Sequence, residues 1–338
     1  MAVIIKLSYL LCTMLLLFSL SSSQTFADGK KQVLVIESYH ASFKWDADYR
    51  RAIQDTLQDY ATIKFFEMDT KRLPPNLHPK QAEAAWDRYL KSEPDLVILG
   101  DDNALKFLGP KFARKQTPVV YLGINNNPRN YFEYTFLPKH ISGVLERPLM
   151  KRSVMYLQEM TEKPMEKVLI LFDTGTTSKT IAKEVFQDKN KLRIGSATVH
   201  VKFIAEQNQW QEAILQASDQ KFDAIILGLY HTITDAKGVH VPSKNIIKWT
   251  SKNSMLPIFA FWEFSVGKDM AIGGLVLDGY SQGKAAATIA LRTLQNEEDQ
   301  RSEPVISNQG QFVFSRSQLK KWNIQLPTHL QDKAIYLP

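Results

Sequence analysis

The chain has 338 residues, 44 % hydrophobic and 23 % charged, with 15 glycines and 15 prolines; this is the composition of an ordinary folded protein of about two domains, and it excludes a collagen-like, coiled-coil or disordered chain. The formal charge of +7 is scattered, with no basic helix face interleaved with aromatics, so it reads as a solvated surface and no nucleic-acid partner is expected. Cys12 is the single cysteine, which rules out a disulfide framework.

Residues 1–27 read as a secretory signal peptide. Lys6 precedes the mostly apolar Leu7 to Leu20, Ser21 to Gln24 turns polar, and Thr25-Phe26-Ala27 is a small-x-small cleavage site. The expected cleavage is after Ala27, with retention as an N-terminal anchor as the alternative. Cys12 lies inside the apolar run, unlike the cysteine of a lipoprotein. Removal of the leader, with Lys6 its only charged side chain, leaves 311 cysteine-free residues and a formal charge of +6. A large exported chain without disulfides fits the bacterial periplasm.

From Gln32 onward short apolar runs alternate with amphipathic stretches. Val33 to Ile36 predicts a strand, and Asp46 to Ala61 a helix with Tyr49, Ala52, Ile53, Leu57 and Tyr60 at helical spacing. Ile63 to Met68, Asp95 to Leu99 and Pro118 to Leu122 read as further strands, separated by helices over His78 to Ser92 and Asn103 to Ala113. Between Asn125 and His140 the periodicity fails, and a change of domain is expected nearby. Alternation then restarts: helix Leu149 to Thr161, strand Lys167 to Phe172, helix Thr177 to Asp188, strand Thr198 to Ile204, helix Gln209 to Ala217 and strand Asp223 to Leu229. Helix Ser243 to Lys252, strands Pro257 to Phe261 and Ile272 to Leu277, a long helix Tyr280 to Asn296, and Phe312 to Phe314 with a short helix complete the chain. Strands apolar on both faces and separated by helices imply parallel sheets covered on both sides. The expected fold is α/β, with two doubly wound parallel-sheet lobes: residues 28–145 and 276–300 in the first, 146–275 and 301–338 in the second.

In such sheets ligands bind beyond the carboxyl ends of the strands. The strand-end candidates are Ser38, Tyr39 and His40 with Trp45; Asp101 and Asn103, beside Asp102; Asn125; Asp173, Thr176, Thr177 and Ser178; Tyr230 and His231; and Trp262 and Glu263. Aromatic, hydroxyl and amide groups suit a cleft for a small polar molecule. In Asp173 to Ser178 a glycine and three hydroxyls open a helix, which suits an anion; the competing reading is that Thr176 or Thr177 simply caps that helix. Tyr39, Phe43 and Trp45 form either a stacking wall or a loop packed on its own domain.

Gly279-Tyr280-Ser281-Gln282-Gly283 matches G-x-S-x-G between a strand and a helix. A nucleophilic Ser281 would need a downstream acid and histidine, and His329, after Pro327, is the only histidine that follows. Gly283 is therefore read as a helix-sheet packing position. His40, His78, His140, His200, His231, His240 and His329 contain no H-x-x-x-H pair, and no phosphate-binding glycine motif is present. No metal or cofactor is expected.

Three stretches carry a family resemblance. Asp278 to Ala286, with its aromatic-containing turn and glycine opening a long helix, and Glu303-Pro304 followed by Phe312 to Ser315 and Leu319 to Pro327, are similar to segments of the type I periplasmic solute-binding proteins of ABC transporters, with Asn323 and Ser315 standing where that family often has Gly and Asn. Glu37-Ser38-Tyr39-His40 with Trp45 is similar to the start of periplasmic binding domains fused to sensor kinases and cyclases. The resemblance implies a hinge and an interlobe cleft that captures a solute, a monomer, and an inner-membrane permease as partner; the alternatives are a sensory subunit for a separate membrane kinase or cyclase, and an exported serine hydrolase using Ser281. The strand-end sets, with acidic Asp101, Asp102 and Glu263 opposite the Thr/Ser cluster, favour an amino-acid-like, zwitterionic ligand over a neutral sugar.

Overall fold

Val33 to Ile36 is apolar on both faces because both faces of its strand are covered. The computed structural model describes residues 30–147, 149–161, 165–296, 303–306 and 310–338; the expected leader over 1–27, with its cleavage point after Ala27, lies outside them. Strand β1 (Lys31–Glu37) leads into α1 (Lys44–Leu57), followed by β2 (Ala61–Glu67), α2 (His78–Ser92), β3 (Leu96–Gly100), α3 (Asp101–Phe112), β4 (Val119–Ile124) and β5 (Ile141–Leu145). The second half runs α4 (Met150–Glu159), β6 (Lys167–Phe172), α5 (Thr176–Glu184), β7 (Lys191–Ile194), β8 (Ala197–Phe203), α6 (Gln207–Leu215), β9 (Ala224–Leu227), α7 (Ser243–Asn253), β10 (Ile258–Ala260) and β11 (Gly273–Val276). The chain ends with α8 (Gly279–Leu294), β12 (Val305–Ile306), β13 (Gln311–Ser315), α9 (Arg316–Lys321), α10 (Thr328–Gln331) and β14 (Ala334–Leu337).

The first sheet has the order β12-β5-β4-β3-β1-β2, all parallel. The second has the order β10-β9-β6-β8-β7, parallel except for the antiparallel edge strand β7. Each lobe is thus doubly wound, and each reverses its winding beside its own first strand, between β1 and β3 and between β6 and β9. These are the positions at which open α/β sheets leave a crevice beyond their strand ends. Val305–Ile306 pairs with Val144 and Leu145, so this short strand sits in the first sheet, although the sequence division puts 301–338 in the second lobe.

Besides β12, three strands escape the periodicity argument. Ile141–Leu145 contains a glycine at the end of the aperiodic stretch, Lys191–Ile194 is a mostly exposed edge, and Ala334–Leu337 is a short tail. With β11 and β13 the last of these builds a third, three-stranded sheet, β11-β13-β14. The long helix α8 returns to the first lobe and lies on α1. A Cβ added at Gly279 would stand 2.3 Å from the Trp45 carbonyl oxygen, and one at Gly283 2.6 Å from Cα and O of Tyr49. Both glycines of the G-x-S-x-G stretch therefore serve a close helix-helix contact, which corrects the expected helix-sheet role of Gly283. Gly283→Ala is expected to cost about 1–3 kcal/mol by overpacking α1; urea unfolding curves of variant and parent check it, and coincident midpoints would sink it.

Candidate functional site

Several expected site residues are consumed in building the two crevices. Ser38 Oγ donates to the Gly100 carbonyl at 2.6 Å and accepts from the Ala104 amide at 2.8 Å, tying the end of β1 to the first turn of α3. Asp102 accepts from the amides of Asn125 and Asn126, at 3.0 and 3.1 Å, and from the Tyr131 hydroxyl at 2.8 Å. Its counterpart in the second lobe is Asp173, which accepts from the Gly175 amide at 3.1 Å, Ser178 Oγ at 2.6 Å, and the amides of His231 and Thr232 at 2.8 and 3.0 Å. Each carboxylate stands where a strand meets a helix and holds a neighbouring strand-end loop by its backbone. A buried carboxylate needs such donors to remain charged.

Between the crevices the lobes meet through a small set of contacts. Tyr39 OH lies 3.2 Å from Thr177 Oγ1, and Trp262 Nε1 donates to Glu146 Oε1 at 2.6 Å. Lys44 pairs with Glu263 at 3.3 Å, and the Phe43 ring lies 4.8 Å from that of His231 and 5.3 Å from that of Phe264. Around these contacts lie two cavities. One, of about 530 Å³, is lined by Tyr39, Thr70, Lys71, Asn103, Asp173, Thr176, Thr177, Lys179 and His240 among others. The other, of about 620 Å³, is lined by His40, Phe43, Lys71, Arg72, Tyr230, His231, Lys244 and Phe264 among others. A narrow gap enclosed by Tyr39, Phe43, Trp45, Lys71, Asp101, Glu146, Thr177, Trp262 and Phe264 adds the aromatic walls.

Most of the sequence-predicted residues converge here; Ser38, Asn125, Ser178 and Glu263 do not line these spaces. Asn125 works one layer back: its Nδ2 donates to Glu146 Oε2 at 2.9 Å. His40 Nδ1 lies 2.8 Å from Ser42 Oγ, Tyr230 stacks on His231 at 4.5 Å with its hydroxyl 3.0 Å from Ser265 Oγ, and Glu263 belongs to the Lys44 pair. The helix-cap reading of Thr176 and Thr177 does not hold. Gly175 is the N-cap of α5 and no side chain caps it, which leaves both threonines on the wall of the first cavity. Tyr39, Phe43 and Trp45 pack together with groups of both lobes, so the aromatic cluster is more than a loop covering its own domain.

Electrostatics separate two zones. Asp101 stands at φ 66°, a left-handed conformation that costs a non-glycine residue energy, and its Oδ2 is buried without a hydrogen-bond partner. Burial pushes the Asp101 and Asp46 carboxyls up, Glu146 to about 7 and Glu37 to about 8. On the cavity side burial, reinforced by Lys71, holds His231 well below its usual range. Lys71, Glu146, Asp46 and Phe264 were not singled out from sequence. Lys71 has a signal nonetheless: it follows the end of β2, a strand end like those that carry the other site residues.

Ser281 is an ordinary helix residue. Its amide donates to Asp278 Oδ1 at 2.7 Å and its hydroxyl accepts from Gln311 Nε2 at 3.4 Å, while His329 pairs with Glu159 at 3.1 Å. Among the described residues there is no group of three or more His, Cys, Asp or Glu able to hold a metal ion, and no helix long and apolar enough to cross a membrane.

The family model described as ABC transporter substrate binding protein matches residues 47–336. No curated protein matches the sequence. Among solved structures, an ABC domain from Streptococcus pneumonia in complex with L-Trp is similar at a TM-score of 0.67 and 18 % identity, over 91 % of this chain and all (100 %) of that one. A conserved domain protein from Vibrio cholerae gives 0.64 and 14 %, and the ligand-free, open form of a substrate binding protein with adhesive properties from Clostridium difficile gives 0.62 and 13 %, each over 91 % of this chain and 100 % of the other. At these identities the likeness is one of fold.

Proposed function

The chain belongs to the ABC transporter substrate binding protein family, and from that premise we propose that it is a periplasmic protein that captures a small amino-acid-like solute between its lobes and presents it, unchanged, to an inner-membrane ABC permease. The observation that carries the reading is that Thr177 of the second lobe and Asp101 of the first border the same aromatic-walled gap, beside the cavity that Thr176 lines. On the second lobe, the start of α5 offers Thr176 and Thr177, neither engaged in capping, and a helix N-terminus suited to a carboxylate. On the first, Asp101 offers a buried carboxylate oxygen with no internal partner, suited to an ammonium. Tyr39, Trp45 and Trp262 supply flat walls between them. The L-Trp complex of the Streptococcus pneumonia neighbour agrees with such a ligand. The lobes, one built on the sheet of β1 to β5 with β12 and the other on the sheet of β6 to β10, close about the chain crossings between them, and closure is the signal the permease reads.

A thermal-shift screen tests this. A cognate amino acid at about 100 times its Kd adds about 2.7 kcal/mol of stability, and Thr177→Ala or Asp101→Ala is expected to remove the response to it. A response confined to neutral sugars, or retained in both variants, would overturn the two-pole assignment. An unchanged radius of gyration at saturation would remove closure.

A further inference from the structure

Lys71 stands at the centre of the interlobe space, and no other lysine among the described residues is buried. Its side chain is 9 % exposed and lines both cavities and the gap between them. A buried lysine normally has a counter-ion in contact. Among the described residues Nζ of Lys71 makes no ion pair or hydrogen bond; it rests on two aromatic faces, 4.0 Å from the Tyr39 ring centroid and 4.9 Å from that of Phe43. This is how proteins hold the ammonium group of a ligand. Burial prevails and lowers the pKa of this amine, while Asp173, Asp101, Asp46 and Glu146 pull in the opposite direction, toward the protonated form. Three of the nearby oxygens, Oδ2 of Asp101 and both of Asp46, are buried without hydrogen-bond partners.

We infer that the Tyr39-Phe43 faces above Asp101 form an ammonium subsite, and that Lys71 is its built-in occupant, displaced when a ligand carrying a primary amine enters. The inference rests on the reading of the interlobe space as the ligand site and adds to it the element that selects amines. Lys71 is suited to the role because its flexible four-carbon stem can carry the charge out toward the cavity mouth without movement of the backbone. An ammonium already seated makes a neutral or anionic ligand head a poor substitute, since neither replaces the cation over the rings. It also makes amine binding a competition.

Chemical rescue tests this on the full mature chain. Lys71→Ala removes a group the size of propylammonium, so propylammonium chloride, at matched ionic strength, is expected to raise the Tm of this variant saturably by about 2–4 °C. Propan-1-ol, the neutral isostere, should give no rise, and neither compound should move the parent protein. Equal responses to amine and alcohol, no response to the amine, or the same response in the parent would overturn the subsite. Lys71→Met keeps most of the stem and deletes only the charge; it is expected to bind tryptamine at least about tenfold more tightly than the parent (about 1.4 kcal/mol) and indole-3-acetate no more tightly. Weaker or absent tryptamine binding would make Lys71 a ligand counter-ion or a structural residue. A parent protein that answers no amino acid while Lys71→Ala takes up propylammonium would refute the solute assignment and leave the subsite standing.

Discussion

Replacing Asp173 by alanine is expected to cost about 3–5 kcal/mol of unfolding free energy and to abolish solute binding. The carboxylate accepts four hydrogen bonds, from Gly175 and Ser178 on one side and from His231 and Thr232 on the other. Hydrogen bonds to a charged group are each worth about 1.5–3 kcal/mol, and buried donors left without an acceptor keep their full desolvation cost. The loss is not a simple sum, because the freed loops relax. It does fall on both loops of the second-lobe crevice at once, so the ligand surface is lost with the stability. Asp173→Asn separates charge from shape: its amide nitrogen would meet amide donors, so it should behave almost as badly as alanine. Urea unfolding of both variants decides the matter, and a loss below about 1 kcal/mol in either would show that the loops are held by other means.

The second large effect is a fall in stability as pH rises from mildly acidic through neutral to about 8. Glu146, buried and bonded to Trp262 and Asn125, titrates in the folded protein at about 7 against an ordinary 4.5. In the unfolded chain the proton leaves near the ordinary value, whereas in the folded chain it stays on until about pH 7. The folded state therefore binds more protons between these two points, and stability falls as pH rises through them. The contribution is fully present below the unfolded value and gone above the folded one. At about 1.4 kcal/mol per pH unit of displacement, Glu146 accounts for roughly 3 kcal/mol. Glu37, at about 8, extends the decline with the same sign. Arg50 Nε lies 3.0 Å from its Oε1 and pulls in the other direction, but Arg50 is shared with Glu67 at 3.4 Å, and burial prevails. His231, held neutral by burial, acts oppositely below about pH 6.5, so the decline is cleanest between pH 6.5 and 8. Glu146→Gln preserves an acceptor for Trp262, and the unpartnered Asn125 Oδ1 can receive the new amide after a flip. That variant should lose its share of the pH dependence. An equal slope in parent and variant would show that Glu146 is not the titrating group.

How far such behaviour is legible before the fold is known depends on the residue. Thr176 and Thr177 were legible as wall residues because a glycine and hydroxyls at a strand-to-helix junction are a local signal, though only the N-cap geometry of Gly175 excluded the capping role. Asp173 was legible as a strand-end group and does line the first cavity, but its part in holding two loops was not legible. Its donors include His231 and Thr232, almost sixty positions away, and no local pattern marks them. Lys71 was invisible for the opposite reason. A lysine directly before an arginine in a polar loop reads as solvated, and only the approach of the second lobe buries it.

By itself the sequence determined the alternation of apolar strands and amphipathic helices, hence two doubly wound lobes, because hydrophobic periodicity is written into consecutive residues and follows from the geometry of each element alone. It also determined that the strand-end segments would carry the aromatic, hydroxyl and acidic groups. Tertiary structure alone decided which of those groups remain unspent. A carboxylate is scaffold when backbone amides from another strand end saturate it, as for Asp102 and Asp173, and free when they do not, as for Asp101. Hydrogen-bond satisfaction and desolvation are properties of what the folded chain brings near a group, and neither is encoded within reach of the residue itself.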